Sequence, residues 1–345
     1  MAQSRSTALS WVHLSNDFAA KHVRARSPVS LMKTYERTIT CCPACRFSLR
    51  YDGDTQVLCS NPECPYASDG FPFVGDQPVL IDFENSIFDR SRYNDGSGSV
   101  LRRDFMRSSL KSRLRNAIHG TNRVAEKKVG HFIDRTKELS PRPRILVIGG
   151  GTMGSGAKEL YTDPDLKVVG TDVYASPLTV LLADGHQLPF KDEVFDGVWI
   201  QAVLEHVLEP DKVVSEIHRV LRAGGIVYAD TPFMQQVHEN AYDFTRFTLG
   251  GHRWLFRRFD EIESGAVGGA AVALRWSVRY FARAMGAGDR ISQALSMPFS
   301  LLRFVERFAK AGENADAASG VYFLGTKSNR SLHPKDMVSF YDAHR

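Results

Sequence analysis

The chain has 345 residues, of which 43% are hydrophobic and 24% are charged, and it carries a formal net charge of +5 at pH 7. These fractions are those of an ordinary soluble globular protein, the length favours two domains, and so small a positive charge does not by itself indicate nucleic-acid binding. No run of about 18 apolar residues is present, so we expect no membrane-spanning helix. The N-terminal residues lack the apolar core of a signal peptide, and the expected compartment is the cytoplasm.

The five cysteines of the chain are confined to one short stretch. Cys42 and Cys45 form one close pair, and Cys59 and Cys64 form a second. Two such pairs, each on a tight turn, can bring four thiolates to the corners of a tetrahedron around Zn²⁺, and four thiolates leave no open position for catalysis. We therefore expect a structural zinc site, with free or disulfide-bonded cysteines without metal as the alternative. Cys41, one position too early, is expected to be a separate buried thiol.

The segment around these cysteines is predicted to be a small β unit, which we assign to residues 39–84. The residues between the two pairs favour a short hairpin with Asp52 and Gly53 at its tip, and the residues after the last cysteine alternate and turn like a small sheet. From Cys42 to Phe83 the sequence resembles the zinc-ribbon activator protein that partners tRNA and translation-factor methyltransferases.

The remaining N-terminal chain is predicted to be a polar lead-in over residues 1–38, and a linker followed by a basic helical segment over residues 85–140. Residues 100–144 contain thirteen Lys or Arg against four Asp or Glu. A contact with an anion or RNA and an ordinary solvated helix face both explain that excess. The same stretch has apolar side chains at helical spacing, which predicts a helix that packs on the next domain. These side chains are Val124, Val129, Phe132 and Ile133.

A glycine cluster follows a strongly apolar strand. Residues 145–148 are a continuous apolar run typical of a buried parallel strand, and Gly149, Gly151 and Gly154 then permit positive φ angles and close backbone approach. A helix start follows. Strand, glycine turn and helix N-terminus together are typical of a nucleotide-cofactor cradle, although nearby glycines can also serve only to pack a helix on a sheet.

From Arg144 onward strand and helix patterns alternate, which predicts an α/β doubly wound sheet. The second strand ends at Asp172, a spacing from the glycines that suits a carboxylate accepting from both ribose hydroxyls of an adenosine. The third strand ends at Asp184. The connection between these two strands is short, so the usual crossover helix is expected to be missing or reduced to a single turn.

The chain contains, in this order, the glycine turn, Asp172 and the strings ADGHQLPF, FDGVWIQAVLEHV and HRVLRAGG. With these features the sequence resembles the class I S-adenosylmethionine-dependent methyltransferases, especially the ubiquinone/menaquinone-biosynthesis-like branch. The resemblance implies a Rossmann-like seven-stranded sheet whose last two strands form an antiparallel edge, and S-adenosylmethionine as cofactor. It implies that Asp172 holds the ribose, Asp184 faces the adenine amino group and Gln201 lines the methionine side. The full implied cofactor-binding set is Gly149, Gly150, Gly151, Thr152, Met153, Asp172, Val173, Asp184, Gly185, His186 and Gln201.

Two positions depart from that family's pattern. Val147 stands where an acid two residues before the first glycine is frequent, and Met153 stands where a glycine often closes the turn. These changes move the turn toward a dinucleotide-dehydrogenase fingerprint. Against a dehydrogenase, ADGHQLPF and LEHV have no role in hydride transfer.

Candidate catalytic residues follow the fourth and fifth strands. If the methyl acceptor is a hydroxyl, a general base must reach it directly or through one water. His206 follows strand four, and His238 and Asp243 follow strand five, at the edge where ligands bind in open sheets. Each has a structural alternative, as a helix cap for His206 and as a fold-stabilising contact for His238 or Asp243.

The methyltransferase-like domain is assigned to residues 141–328, with a helical insertion over 264–319 and a C-terminal tail over 329–345. Helices that cap the acceptor pocket or pack on the sheet edge, and a membrane-surface helix, both explain the amphipathic pattern of the insertion. Its clearest apolar face is formed by Leu301, Phe304, Val305 and Phe308.

These features favour an enzyme that methylates a small molecule or a glycan- or lipid-linked biosynthetic intermediate, at oxygen. The alternative is an rRNA or tRNA base methyltransferase with an N-terminal zinc domain, in which residues 100–144 would follow phosphates. A third hypothesis is a non-catalytic binding module whose zinc unit docks a partner protein.

Overall fold

The computed structural model describes Met32, residues 34–94 and residues 122–344. The predicted lead-in up to residue 31 and the basic residues 95–121 lie outside the described residues. Within the part that is described, no helix is long and apolar enough to cross a membrane.

The strands of the described residues form two small sheets and one large sheet. The small sheets pair β1 with β2 and β3 with β4, at Leu49–Asp52, Gln56–Cys59, Phe73–Val74 and Gln77–Pro78. The large sheet contains β5 to β11, at Arg144–Ile148, Lys167–Asp172, Leu181–Leu182, Phe195–Gln201, Leu221–Pro232, Phe259–Val267 and Gly320–Lys327.

The large sheet has the strand order β10-β11-β9-β8-β5-β6-β7. Strands β7, β6, β5, β8 and β9 are parallel, whereas β11 is antiparallel to both β9 and β10. The strand order reverses beside β5, because β6 and β7 lie on one side of β5 and the next strand in the chain, β8, pairs with its other side. The Rossmann-like doubly wound sheet with an antiparallel edge is therefore confirmed, and its switch point lies at the glycine turn that follows β5.

The α-helices of the described residues are numbered α1 to α11 in chain order. They span Thr34–Ile39, Ser91–Asn94, Arg123–Leu139, Lys158–Thr162, Pro210–Val220, Leu249–Leu255, Ala270–Ala284, Asp289–Ser296, Leu302–Val305, Ala311–Asp316 and Asp336–Ala343. No helix separates β6 from β7, as the short connection in the sequence predicts.

The side chains of β5 divide the core into two layers. Leu146 and Ile148 pack into a cluster that includes Ile217 of α5, whereas Ile145 and Val147 pack into a second cluster with α3. Burial on both faces is why the strand is apolar at consecutive positions rather than alternating. The helix predicted from the apolar spacing before β5 is α3, and its buried residues are Ala125, Val129, Phe132, Ile133 and Thr136.

The N-terminal β unit packs directly on the free edge of the large sheet. The predicted hairpin and the second small sheet are both present. The amide of Cys41 donates to the carbonyl of Pro189, 3.0 Å away, and the amide of Leu80 donates to the carbonyl of Leu182, 2.8 Å away. The cores of the unit and the sheet form one continuous apolar cluster. This docking, which the sequence did not predict, covers the otherwise exposed edge at β7.

The predicted linker after this unit is wrong in its first half. Tyr93 in α2 anchors this segment to the domain, since it is fully buried and its hydroxyl donates to the carbonyl of Val173 at 2.9 Å. Phe88 stacks on Tyr242 at a ring-centroid distance of 6.5 Å. Turn-forming residues dominate the sequence of this segment, and the long-range contacts of Phe88 and Tyr93 nevertheless hold it in place.

The predicted start of the helical insertion also requires correction. Residues 264–267 belong to β10, where Ser264 pairs with Phe323 of β11, and the inserted helices occupy residues 270–316. The predicted amphipathic segment near residue 304 is a chain of short helical turns. Its apolar side chains do not pack on the sheet, since Phe304 and Phe308 are 57% and 75% exposed.

Candidate functional site

A large cavity opens at the carboxyl ends of the parallel strands. Its volume is about 1070 Å³, and it extends from the glycine turn after β5 to the inserted helices α7 and α9. Pockets for one drug-sized ligand have volumes of roughly 300–1,000 Å³. The cavity therefore has room for a cofactor and a second molecule at the same time.

The glycine turn forms one wall of the cavity, and at two of its positions no residue larger than glycine fits. Gly149 has a φ of +73°, and a Cβ atom on it would lie 2.2 Å from Cγ2 of Val203. A Cβ atom on Gly151 would lie 2.5 Å from the ring of Tyr174. The backbone therefore approaches its neighbours more closely than any other residue type allows.

Asp172 is held at the end of β6 by two backbone amides. The amide of Gly151 donates to its Oδ2 atom at 2.8 Å, and the amide of Val173 donates to its Oδ1 atom at 2.7 Å. The carboxylate lies on the cavity wall beside the glycine turn. The predicted contact of this carboxylate with ribose hydroxyls stays a prediction.

Asp184 is buried beneath the cavity and is already well bonded. Its Oδ1 atom accepts from the amide of His186 at 3.0 Å and contacts Nδ1 of the same ring at 2.6 Å, while Ser86 donates to Oδ2 at 2.5 Å. Burial opposes ionisation, yet the bonds from His186 and Ser86 lower the pKa of this carboxyl group. An adenine amino group would have to share an oxygen with one of these donors.

Gln201 is oriented by a carboxylate that the sequence analysis missed. Its Nε2 atom donates to Oδ2 of Asp230 at 3.0 Å, and Tyr228 and Asn122 donate to the same oxygen at 2.9 Å each. Burial raises the pKa of Asp230 to about 6. The Oε1 atom of Gln201 is buried without a hydrogen-bond partner among the described residues. It is suited to accept from a ligand amine, such as the amino group of S-adenosylmethionine.

The structure brings most of the predicted cofactor residues together. The cavity is lined by Gly149, Thr152, Asp172, Val173, Asp184, Gly185, His186 and Gln201. The predicted residues that do not line it are Gly150, Gly151 and Met153. Gly151 still acts on the wall through its bond to Asp172, whereas the amide of Gly150 donates to the carbonyl of Thr171.

The predicted catalytic residues are only partly brought together. His206 and His238 both line the cavity, with their rings edge to face at a centroid distance of 5.2 Å. Asp243 lies behind His238, accepts from its backbone amide at 2.8 Å and forms an ion pair with Arg246. Burial opposes ionisation, but the bonds from Arg246 lower the pKa of Asp243 to about 2. Asp243 is therefore suited to position His238 rather than to take a proton near neutral pH.

Glu205 is the residue at this end of the cavity that the sequence analysis passed over. It precedes His206, lines the cavity and is 1% exposed. Neither of its carboxylate oxygens has a hydrogen-bond partner among the described residues, and its Oε1 atom lies 3.6 Å from Nε2 of His206. Burial raises its pKa to about 8. An acid next to a histidine directly after a parallel strand is the signal that could have identified it.

The four predicted zinc ligands form one cluster in the N-terminal unit. The Sγ atoms of Cys42 and Cys64 are 3.7 Å apart, those of Cys45 and Cys59 are 3.4 Å apart, and all four lie within 4.8 Å of one another. A tetrahedral site with Zn–S bonds of about 2.3 Å has S–S edges of about 3.8 Å. The donor set therefore fits Zn²⁺. Cys41 is buried outside this cluster, as predicted.

Residues 146–229 match the family model described as Methyltransferase domain. The match runs from β5 into β9 and includes the glycine turn, Asp172, Asp184 and Glu205. The chain thus carries a methyltransferase domain on the central parallel strands of its sheet.

Curated relatives agree with this match over part of their length. The chain is 30% identical over 135 residues to the ubiquinone/menaquinone biosynthesis C-methyltransferase UbiE of Neisseria meningitidis, which covers 34% of this chain and 55% of that relative. It is 33% identical over 116 residues to the demethylmenaquinone methyltransferase of Streptomyces avermitilis, covering 31% of this chain and 48% of the relative. The chain therefore spans about half the length of the curated relatives it matches.

Solved structures include similar chains at low identity. Phosphoethanolamine N-methyltransferase 2 of Haemonchus contortus matches with 15% identity and a TM-score of 0.37, over 65% of this chain and 61% of that chain. Geranyl diphosphate C-methyltransferase of Streptomyces coelicolor matches with 12% identity and a TM-score of 0.38, over 58% and 75% of the two chains.

Adding a methyl group at Gly151 tests the cofactor wall. In Gly151→Ala the new Cβ would lie 2.7 Å from Oδ2 of Asp172 and would displace that carboxylate. We expect the affinity for S-adenosylhomocysteine, measured by isothermal titration calorimetry, to fall more than tenfold, or about 1.4 kcal/mol. The control is Gly130→Ala in α3, where a Cβ meets nothing within 4 Å. An unchanged affinity of Gly151→Ala would contradict this role for the turn.

Replacing one cysteine tests the metal cluster. We expect Cys45→Ser to lose bound zinc and to lower the thermal midpoint by roughly 5 °C or more, because metal binding contributes to folding. Its affinity for S-adenosylhomocysteine should change less than twofold, since none of the four cysteines lines the cavity. Elemental analysis and thermal unfolding measure both effects, with Cys41→Ser as the matched control. Wild-type protein without zinc, or Cys45→Ser that retains it, would exclude the site.

Proposed function

We propose that the protein is an S-adenosylmethionine-dependent methyltransferase that acts at oxygen on a small molecule or a glycan- or lipid-linked intermediate. The observation that carries this proposal is the continuity of the cavity, whose glycine-walled end suits the cofactor and whose far end holds paired histidines and arginines. When bound, S-adenosylmethionine supplies an activated methyl group. The protein must align that group with the acceptor oxygen, and alignment alone provides a large part of the acceleration.

The cofactor end would be held by three polar groups. Asp172 would accept from the ribose, Asp184 would lie against the adenine, and Oε1 of Gln201 would accept from the amino group. The close backbone approach at Gly149 supports this placement, because a side chain there would collide with Val203 and narrow the cofactor end of the cavity.

The acceptor end combines basic and aromatic side chains. Arg275, Trp276, Arg279, Arg303 and Phe304 line the cavity on the side of the inserted helices. Guanidinium groups suit phosphate or carboxylate, and the aromatic rings suit an apolar or sugar portion. These features support an acceptor that carries an anionic group next to an apolar part, such as a phospho-linked lipid or glycan intermediate.

The inserted helices expose an unusually large set of apolar side chains. Residues 270–316 contain seven Lys or Arg against four Asp or Glu. Arg303 and Arg307 lie over the rings of Phe304 and Phe308, at 5.1 and 4.7 Å. The exposed members, which we call the apolar surface, are Leu274, Phe281, Met285, Ile291, Leu295, Met297, Leu301, Leu302, Phe304, Val305 and Phe308.

Apolar side chains flanked by arginines fit the surface of an anionic lipid bilayer, where the rings enter the headgroup region and the guanidinium groups contact phosphates. We therefore propose peripheral membrane contact through the apolar surface, which would place the mouth of the cavity near lipid-linked acceptors. Three acids of the insertion have partners within the chain. Glu306 accepts from the amide of Ala271 at 2.8 Å, Asp316 accepts from the hydroxyl of Tyr341 at 2.8 Å, and Asp289 lies 3.7 Å from Arg279 and Arg283.

The RNA alternative receives less support from the described part of the basic segment. Lys128 of α3 pairs with Glu263, and Lys137 pairs with Asp163 at 2.9 Å. Arg135 pairs with Glu138 at 2.7 Å. Cations that are paired within the chain contribute little to phosphate binding.

The N-terminal unit has a structural role in this proposal. Its cysteine cluster would hold Zn²⁺ and would keep the hairpin rigid against the edge of the sheet. Arg46, next to the cluster, donates to the carbonyl of Leu188 at 2.6 Å and pairs with Glu216 at 2.7 Å. Loss of the metal would therefore weaken the contact with the methyltransferase domain.

Vesicle binding tests the membrane contact. We expect the wild-type protein to sediment with vesicles rich in phosphatidylglycerol but not with pure phosphatidylcholine, and less so at high salt. Phe308→Asp should reduce binding more than tenfold, whereas Val338→Asp, at a residue 70% exposed outside the apolar surface, should not. Membrane contact would be refuted if the wild-type protein bound neither kind of vesicle, or if Phe308→Asp bound as well as the wild type.

Label transfer tests the acceptor. The protein is incubated with S-adenosylmethionine labelled in its methyl group and with fractionated cell extract. We expect label in the small-molecule or lipid- and glycan-linked fraction, in a bond that resists mild acid as a methyl ether does. Label in RNA would support the alternative, and no transfer to any fraction by protein that binds the cofactor would support the non-catalytic hypothesis.

A further inference from the structure

Three metal-binding side chains meet at the acceptor end of the cavity, away from the cysteine cluster. Glu205, His206 and His238 each offer one ligand atom, and these atoms lie within 4.8 Å of one another. All three residues line the cavity, so a group bound there would be open to a second molecule.

The hydrogen bonds of the two rings leave one nitrogen of each without a donor role. Nδ1 of His206 lies 2.7 Å from the carbonyl oxygen of Tyr242 and so carries the proton that it donates. Nδ1 of His238 lies 3.2 Å from the carbonyl oxygen of Gln236, 3.3 Å from Oδ2 of Asp243 and 3.5 Å from Nη2 of Arg246. The two acceptors are nearer than the guanidinium donor, which favours a proton on Nδ1 of His238. With that tautomer, Nε2 of each ring has a free electron pair. Metal-binding histidines show the same pattern, with the far nitrogen held by a carbonyl or carboxylate.

Glu205 brings a carboxyl group to the same place without a hydrogen-bond partner among the described residues. Both of its oxygens are buried and lack hydrogen bonds among the described residues, and Oε1 faces Nε2 of His206 at 3.6 Å. The nearby Arg246 is bound by Asp243 and by the carbonyl oxygens of Gln235 and Gln236. A cation bound between the two imidazole nitrogens and the carboxylate would satisfy all three buried polar groups at once.

We propose that Glu205, His206 and His238 bind a divalent first-row transition-metal ion at the acceptor end of the cavity. Two imidazoles and one carboxylate are a donor set that such ions accept with positions left open for other ligands. The proposal rests on the proposed function, which it deepens by assigning the group that binds the reacting oxygen of the acceptor.

In this arrangement the acceptor hydroxyl would bind at an open position of the ion, which favours the ionised oxygen. The hydroxyl proton would pass to water in the cavity. The oxygen would then form its bond to the methyl carbon as the carbon–sulfur bond breaks, and S-adenosylhomocysteine would leave. The histidines would act as ligands, and Asp243 would be a positioning residue for His238.

Cobalt binding tests the site in the full-length chain with its cysteine cluster loaded with zinc. Co²⁺ is added, and bound cobalt per chain is measured by equilibrium dialysis and visible absorption. We expect one Co²⁺ per chain without the intense near-ultraviolet absorption of a cobalt–thiolate bond. Glu205→Gln and His238→Asn should each weaken binding more than tenfold. Glu209→Gln, an exposed acid in the same segment that pairs with Lys212, should bind as the wild type does.

Three results would overturn the proposal: no Co²⁺ bound by the wild type, equal binding by Glu205→Gln, or cobalt held by thiolate. Glu205→Gln preserves shape and removes a buried charge, so it should fold, and thermal unfolding without cobalt verifies this. The affinity for S-adenosylhomocysteine is measured on the same samples. Cobalt binding without cofactor binding would count against the methyltransferase and leave the metal site intact, whereas cofactor binding without cobalt would do the reverse.

Discussion

The bond from the backbone amide of Gly151 to the carboxylate of Asp172 is the contact on which the cofactor end of the cavity depends. It joins the turn after β5 to the end of β6, at the switch point of the sheet. The bond forms because position 151 has no side chain, and it fixes a negative charge where a nucleoside sugar would lie. Adjacent parallel strands bring these two positions together, so the pairing of β5 with β6 determines both the sheet and the geometry of the cofactor end.

A second polar network continues this wall toward the acceptor. Asp230, at the end of β9, accepts hydrogen bonds from Gln201 on β8 and from Asn122 just before α3. The network crosses from strand to helix and fixes the Gln201 amide through its Nε2 atom, while Oε1 stays without a hydrogen-bond partner among the described residues. Burial of Asp230 without these donors would be costly, so the three residues stabilise one another as well as orienting a ligand contact.

The local parts of this arrangement could be predicted from the sequence, because they depend on neighbours along the chain. The apolar run into Gly149 predicted β5 and the turn, and the spacing of the two cysteine pairs predicted their convergence. Asp243 was predicted as a catalytic candidate, yet it is tied to Arg246 and does not line the cavity, which a sequence pattern cannot reveal. Glu205 was passed over because its importance lies in the absence of partners, a property of the folded state.

Long-range packing explains the other differences. Tyr93 belongs to a segment rich in turn-forming residues, but its ring is buried in one apolar cluster with Val79 and Ile81 of the N-terminal unit and Leu182 of β7, a site that only the assembled fold provides. The face that includes Phe304 had two explanations in the sequence: helices that cap the acceptor pocket or pack on the sheet edge, and a membrane-surface helix. Phe304 lines the cavity, as a cap requires, and its ring is also 57% exposed, so both explanations stay open.

In our proposal the cavity binds the methyl donor at the switch point of the sheet through Asp172. Calorimetric titration with S-adenosylmethionine tests it most directly, on the wild type, Asp172→Ala and the control Asp165→Ala, whose carboxylate contacts Lys137 on the surface. We predict one bound cofactor per chain for the wild type and for Asp165→Ala, and a loss of more than tenfold in affinity for Asp172→Ala. No binding by the wild type, or full affinity in Asp172→Ala, would contradict the account.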